Sequence, residues 1–109
     1  MDKNDALSAF AALGQSARLD VFRLLVKTGS GGMLAGEISD LLDVRQNTMS
    51  ANLSILAQSG LIRSERQGRS IRYYVDMDGM SGLLAFLMED CCGGRSELCQ
   101  PVIDEIACC

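Results

Sequence analysis

The fold is decided by residues 41–75, which read LLDVRQNTMSANLSILAQSGLIRSERQGRSIRYYV. A short helix ends at the start of this stretch, Asp43 and Val44 predict a tight turn, and apolar spacing predicts a second helix over 46–58, closed by glycine. The period then changes, and residues 61–66 and 70–75 are typical of two strands joined by the turn Gln67-Gly68-Arg69. Two short helices followed by a hairpin predict a winged helix-turn-helix.

The flanking segments add helices on both sides of this unit. Residues 3–13 and a segment capped by Ser16 carry helical apolar spacing, and a glycine-rich loop separates them from a helix that begins near Leu34. A helix capped by Asp76 or Asp78 should follow the hairpin through residue 90, and a terminal helix should carry Pro101 in its first turn. The predicted fold is therefore mainly α with a β-hairpin wing. We divide it into a winged helix-turn-helix domain, 1–92, and a cysteine-containing segment, 93–109.

Composition narrows the possible functions. The chain has 109 residues, enough for one domain, with 48% hydrophobic and 22% charged residues. It has no histidine, which excludes histidine-based catalysis and histidine-containing metal sites. The N-terminal residues lack the pattern of a signal peptide, and no apolar run is long enough to span a membrane. These features predict a cytoplasmic protein without a membrane partner.

The charge is unevenly distributed along the chain. The net charge is −4, yet residues 45–75 carry five arginines against Glu65 alone, and both flanking segments are acidic. A basic stretch between acidic flanks indicates a local electrostatic footprint for a polyanion, although a solvated charge cluster would give the same count.

The second helix of the predicted pair has one apolar and one polar face. At 100° per residue, Met49, Leu53 and Leu56 share the side that should enter the core. Small amide and hydroxyl side chains lie opposite, and such groups can bond base edges in a major groove, although a merely solvated face would have the same composition. The predicted DNA contacts are Arg45, Gln46, Asn47, Thr48, Ser50, Ala51 and Ser54 in this helix, and Arg66, Gln67, Arg69 and Arg72 in the hairpin.

These residues resemble a known family. The segment LGQSARLDVFRLL, 13–25, and residues 41–75 are similar to the ArsR/SmtB family of bacterial metalloregulatory repressors, and the resemblance covers about residues 5–90. It implies a homodimer that binds a palindromic double-stranded operator and releases it when a ligand binds. Arg45 stands where the family usually has a hydroxyl cap, and Asn52 where it often has histidine. The resemblance places the dimer interface on the first helix and the helix after the hairpin, with Leu7, Phe10, Leu83, Leu84, Phe86 and Leu87 as its apolar residues.

All five cysteines lie at position 91 or later. The family's Cys-x-Cys site is absent, because the matching stretch is Leu34-Ala35-Gly36, and its histidine-containing interface site is absent as well. The remaining candidates are Cys91, Cys92 and Cys99, with Cys108 and Cys109 as possible auxiliary ligands. Three thiolates suit trivalent arsenic, whereas zinc prefers four ligands. The resemblance to arsenite-responsive members with C-terminal cysteines also favours arsenite, and antimonite with it.

Several alternatives stay open. The same cysteines could form a thiol-redox switch, or bind cadmium, lead or a methylated arsenical. They could also be packing residues at a helix end or an inactive tail. A winged-helix adaptor that binds protein instead of DNA would share the fold. An enzyme is disfavoured, because the sequence has no Cys-x-x-Cys, phosphate-binding loop or cofactor motif.

Overall fold

The computed structural model describes residues 1–89 and 96–106. The order of elements in this part of the chain is the predicted one, with one short strand added before the helix-turn-helix. The elements are α1 (Lys3–Leu13), α2 (Ser16–Thr28), a 3-10 turn (Gly29–Gly31), β1 (Met33–Leu34), α3 (Ala35–Leu42), α4 (Gln46–Gln58), β2 (Ile62–Gln67), β3 (Ser70–Val75), α5 (Met77–Leu87) and α6 (Ser96–Ile106). The architecture is mainly helical with a small antiparallel wing, as predicted.

The helix-turn-helix consists of α3 and α4. Its turn depends on Asp43, which adopts a left-handed conformation with φ of 53° and is one of the residue types that tolerate it. The backbone N–H of Val44 donates to the carbonyl of Ser39 at 3.1 Å, which satisfies one of the last carbonyls of α3. The predicted tight turn at this position is confirmed.

The wing contains three strands, where two were predicted. Strands β2 and β3 pair antiparallel with Gln67 opposite Ser70, and Gly68 opens their two-residue turn with φ of 65°. The added strand β1 pairs antiparallel with the other side of β3, with Met33 opposite Tyr73. A two-residue strand shows no alternation in sequence, so only the approach of β3 identifies it.

Gly32 permits this approach. Its φ is 63°, and a Cβ there would lie 2.5 Å from the carbonyl oxygen of Tyr73. The glycine is therefore required both for its backbone conformation and for the space above β3.

The core is formed by side chains from α1, α2, α3, α4, β2 and α5. The predicted inner face of α4 is confirmed, since Met49, Leu53 and Leu56 are fully buried. The largest fully buried side chains are Val21, Leu25, Ile38, Met49, Leu53, Leu56 and Leu61. The buried face of α4 is thus held by the core, and its opposite face is exposed to solvent.

Helix α1 buries a different face from the one its leucines suggest. Its buried residues are Ala6, Ala9 and Ala12, whereas Leu7 and Phe10 are exposed. The alanines allow α1 to pack closely against α2, α4 and α5. Larger apolar residues are left on the outside of the protomer.

Three local predictions were wrong in detail. The cap of α2 is Gln15, whose side-chain oxygen accepts from the backbone N–H of Arg18 at 2.9 Å, while Ser16 is already helical. The hairpin turn has two residues and not the three predicted, because Gln67 still pairs with Ser70 at the end of β2. Pro101 lies inside α6 and not in its first turn, because the helix already begins at Ser96.

Helix α5 is shorter than predicted. Asp76 caps it, as one of the two predicted options, by accepting from the N–H of Gly79 at 3.1 Å. It ends at Leu87 and not at 90, because Met88 leaves the helical conformation while its N–H still donates to the carbonyl of Leu84. The boundary between domains at 92 stays a prediction, since residues 90–95 lie outside the described part. No helix among the described residues is long and apolar enough to cross a membrane.

Candidate nucleic-acid interface

The outer face of α4 is exposed as the sequence predicted. The six residues proposed to contact bases from this helix are all exposed: Gln46, Asn47, Thr48, Ser50, Ala51 and Ser54. None of them carries a charge or a large side chain, so the helix can approach the floor of a major groove closely. Arg45, immediately before the helix, is also exposed.

Asn47 has a second role at the start of α4. The N-cap residue, Arg45, supplies no side-chain cap. Instead the Asn47 side-chain oxygen accepts from the backbone N–H of Thr48 at 2.9 Å. Helix N-termini leave several N–H groups without helical partners. Asn47 satisfies one of them, and a base contact through this oxygen would have to replace that bond.

The wing lies beside the same face of α4. A cavity of about 510 Å³ separates α4 from the wing, and Gln46, Ser50, Arg69 and Ser70 line it. Arg69 at the wing tip therefore faces the same groove as two of the predicted base-reading residues. Among the described residues, no hydrogen bond engages the Arg69 guanidinium. The predicted phosphate contact of Arg69 therefore stays a prediction, and the exposed guanidinium leaves it available to an outside anion.

Arg72, which is half-buried, and Gln67, which is exposed, both make hydrogen bonds within the protein. The Arg72 guanidinium donates to the carbonyls of Gly31 and Gly32 at 3.3 and 3.4 Å, and to the Gln67 side-chain oxygen at 3.1 Å. The Gln67 amide in turn lies 3.5 Å from the Tyr74 hydroxyl. These contacts tie the wing to the glycine loop that precedes β1. Both residues were predicted as DNA contacts, and the structure gives each a bracing role.

The other wing arginines differ in their surroundings. Arg66 makes a 3.4 Å contact from its Nε to the carbonyl of Gly68 and stays exposed. Arg63, which the prediction of DNA contacts omitted, stacks over the Tyr74 ring at 4.4 Å from its centroid. The basic stretch is therefore divided between bracing and outward-facing arginines, a division that sequence alone does not reveal.

A polar link beneath α4 was missed in sequence. Asn52 is 6% exposed and lies on the inner side of the helix. Its side-chain oxygen is 3.5 Å from a terminal nitrogen of Arg18. Helical spacing could have predicted that Asn52 is buried, because it directly precedes Leu53 and lies three residues after Met49, which are both buried.

The predicted dimer residues fall into two groups. Leu7, Phe10, Leu84 and Leu87 are exposed, from 40% to 55% of their surface, and lie on α1 and α5, which pack against each other. In contrast, Leu83 is 6% exposed within the protomer core, and Phe86 is partly buried against that core. The exposed group is available to a partner, whereas Leu83 already has its contacts.

One of the predicted thiol ligands lies within the described residues. Cys99, on α6, is buried and disulfide-bonded. Cys91, Cys92, Cys108 and Cys109 lie outside the described residues. Within 1–89 and 96–106, no group of three or more potential metal ligands occurs.

Comparison with known proteins agrees with this geometry. The family described as a helix-turn-helix domain matches residues 13–65. The chain is 31% identical over 84 residues to the uncharacterized HTH-type transcriptional regulator MJ1325 of Methanocaldococcus jannaschii, covering 77% of this chain and 92% of that protein. It is 28% identical over 95 residues to the uncharacterized HTH-type transcriptional regulator YbzH of Bacillus subtilis, covering 76% and 95%.

Solved structures show the same architecture. An ArsR-like transcriptional regulator from Rhodococcus sp. RHA1 has a TM-score of 0.70 and 25% identity, with 95% of this chain and 93% of that chain covered. The homodimeric winged helix-turn-helix DNA-binding domain of Mb0332 from Mycobacterium bovis, a possible ArsR-family regulator, has a TM-score of 0.65 and 25% identity, covering 78% and 76%. The exposed face of α4, the wing and these relatives together lead to one conclusion: the chain belongs to the HTH-type transcriptional regulators, and its winged helix-turn-helix is similar to that of ArsR-like regulators.

Proposed function

We propose that this regulator is a homodimeric repressor that binds a double-stranded operator and releases it when trivalent arsenic binds its cysteine thiolates. The observation that carries the DNA-binding part is the shared groove of α4 and the wing, where Gln46 and Ser50 face Arg69. Amide and hydroxyl groups can read bases, while the arginine neutralises phosphate. One protomer then reads one half of the operator.

Homodimer formation is supported by the exposed apolar surface of α1 and α5. Four large side chains, Leu7, Phe10, Leu84 and Leu87, are exposed on these two packed helices. Burying such a patch against a second copy removes it from water, which is the main driving force for association. The similar domain from Mycobacterium bovis is homodimeric. A twofold dimer would present two copies of α4 to successive major grooves, about one helical turn apart.

The proposed inducer is an arsenite or antimonite ion held by thiolates of Cys91, Cys92 and Cys99, with Cys108 and Cys109 as possible auxiliary ligands. Because Cys99 is disulfide-bonded in the structure, a reductant such as a phosphine must first supply two electrons that return it to the thiol. In the reaction with the reduced cysteines, three As–S bonds replace three As–O bonds of arsenous acid. The three thiol protons leave with the displaced oxygens as three water molecules. The chain favours this chemistry because it has five cysteines, all in its last 19 residues, and no histidine. Since the described residues contain no complete ligand cluster, the site requires cysteines outside them in addition to Cys99.

The proposed signal passes through α5. This helix belongs to the proposed dimer surface and ends at Leu87, four residues before Cys91. Ligand that draws the cysteines together would act on the end of an interface helix and change the angle between the two reading units. Such a coupling is typically about 1–3 kcal/mol and is reciprocal, so operator DNA should weaken arsenite binding by the same factor.

Fluorescence anisotropy with a labelled operator tests this proposal. The operator is first selected from a random-sequence pool, and the protein is kept reduced with a phosphine, because thiol reductants would themselves bind arsenite. Arsenite should release the DNA near stoichiometry with the dimer, while zinc should not. Cys91→Ser and Cys92→Ser should bind DNA normally and lose this release. An unchanged arsenite response in both variants would contradict the proposed ligands.

A thiol-redox switch is the second candidate, and the disulfide at Cys99 is the observation that favours it. In that mechanism two thiols lose two protons and two electrons to a peroxide, giving one disulfide and two waters from hydrogen peroxide. Peroxide would then release the DNA and reductant would restore binding, with no response to arsenite. The same anisotropy assay with peroxide in place of arsenite distinguishes the two candidates.

A further inference from the structure

Arg18 joins three elements beneath the reading helix. Its Nε donates to the carbonyl of Ala12 at 2.6 Å, and one terminal nitrogen lies 3.4 Å from the carbonyl of Ala11. The other terminal nitrogen lies 3.5 Å from the side-chain oxygen of Asn52. Arg18 itself lies in the first turn of α2. One guanidinium therefore bridges the end of α1 and the middle of α4.

Asn52 is an unusual residue for its position. It is buried in a helix face otherwise formed by Met49, Leu53 and Leu56, and among the residues that the structure describes its side-chain nitrogen has no hydrogen-bond partner. A buried amide with unsatisfied donors destabilises the fold, so such a group needs a reason to be retained. Within 1–89 and 96–106, the contact of its oxygen with Arg18 at 3.5 Å is the one hydrogen bond of this side chain.

The packing of α1 explains why a directional contact matters here. All buried residues of α1 are alanines: Ala6, Ala9 and Ala12. Helix crossing angles are set by side-chain ridges that fit into grooves, and alanine provides only shallow ridges. Apolar packing therefore brings α1 and α4 together but fixes their angle weakly. The planar guanidinium of Arg18, with hydrogen bonds in fixed directions, supplies the missing constraint.

We propose that the Arg18–Asn52 contact fixes the angle between the dimerisation helix α1 and the reading helix α4, and so sets the half-site spacing that the dimer accepts. Both residues are positioning residues that touch no base. The inference rests on the proposed homodimer. Because the two protomers are related by symmetry, a change in the angle between α1 and α4 occurs in both of them and alters the distance between the two reading helices. One base pair added between half-sites rotates them by about 36° and separates them by about 3.4 Å, which a rigid dimer rejects.

The test measures spacing selectivity. The selected operator is compared with duplexes that have one base pair inserted or deleted between the half-sites, and with a duplex that holds a single half-site. Wild-type protein should lose about tenfold or more in affinity when the spacing changes. Asn52→Leu should lower this discrimination to about twofold while binding to the single half-site stays unchanged, since the residues that contact bases remain.

Two variants separate positioning from folding. Leucine is close to asparagine in size and removes the unsatisfied donor, so Asn52→Leu should unfold no earlier than wild type on heating. Asn52→Asp keeps an acceptor for Arg18 and should retain the spacing preference. Arg18→Met should behave like Asn52→Leu. Arg23→Met is the matched control, because Arg23 lies in the same helix and is exposed.

Each outcome has a definite meaning. Wild-type spacing preference in Asn52→Leu and Arg18→Met would overturn the positioning role and leave the proposed repressor intact. Loss of single half-site binding in Asn52→Leu would also overturn it, because the residue would then act on base reading itself. Wild-type protein that binds without any spacing preference would instead contradict the proposed dimer, and the inference would fail with it.

Discussion

Replacing Arg72 with alanine should loosen the wing without removing a phosphate contact. Replacing Arg69 with alanine should remove a phosphate contact and leave the stability of the wing unchanged. The Arg72 guanidinium is held by two loop carbonyls and the Gln67 side chain at 3.1–3.4 Å. Arg69 is exposed at the tip of the wing and lines the groove beside α4. The two arginines lie three residues apart in one hairpin, so each is the control for the other.

The expected magnitudes follow from these contacts. Three long and partly exposed hydrogen bonds should together contribute about 1–2 kcal/mol, less than their number alone suggests. For a domain of this size, Arg72→Ala should then lower Tm by about 5–10 °C. Arg69→Ala should leave Tm within about 2 °C of wild type, because surface substitutions usually change stability by less than 0.5 kcal/mol.

Salt dependence of DNA binding distinguishes the two roles. Each phosphate contact contributes about 0.9 to the slope of log K against log salt, so two copies of Arg69 in a dimer contribute about 1.8. Between 50 and 200 mM salt, wild-type protein should thus lose about tenfold more affinity than Arg69→Ala. Arg72→Ala should keep the wild-type slope even where its affinity is lower. A slope reduced as much in Arg72→Ala as in Arg69→Ala would refute the bracing role.

Three further predictions concern the core, the loop and the dimer. Leu53→Ala should destabilise the protein by about 2–5 kcal/mol in denaturant titration, because the side chain is fully buried. The control is Leu41→Ala, at a position that is 64% exposed, which should destabilise the protein by less than about 0.5 kcal/mol. Gly29→Ala should cost about 1–3 kcal/mol for its positive φ, and Gly32→Ala should cost more, because a Cβ there also meets β3; equal losses would argue against that close approach. Phe10→Asp should give a folded monomer by light scattering, and a dimer of unchanged stability would place the interface elsewhere.

The sequence predicted the reading helix well because its signals are local. The spacing of Met49, Leu53 and Leu56 defines one buried face, and the opposite face is then exposed by geometry alone. The turn at Asp43 and the hairpin at Gly68 depend on backbone conformations that few residue types adopt, so they too could be predicted. These elements and the basic hairpin sufficed to predict a winged helix-turn-helix, which the structure confirms.

Other features depend on contacts between distant segments. Strand β1 exists because β3 lies beside Met33 and Leu34, and Gly32 permits that approach. The orientation of α1 could not be predicted from its leucines, because close packing against three neighbouring helices favoured its alanines. A sequence pattern shows which residues of a helix are apolar enough to be buried. Which face is buried depends on the elements that pack against the helix.

The sequence by itself therefore determined the order of the elements, the face of α4 that is exposed and the segment that carries the cysteines. Only tertiary structure decided which contacts the charged and polar residues of these elements make. It assigned Arg72 to the glycine loop and Arg69 to the open groove, although both are arginines of one hairpin. It also joined Arg18 to Asn52, 34 positions apart. The physical reason is that periodicity follows from local geometry, whereas a hydrogen bond requires two groups that only the folded chain brings together.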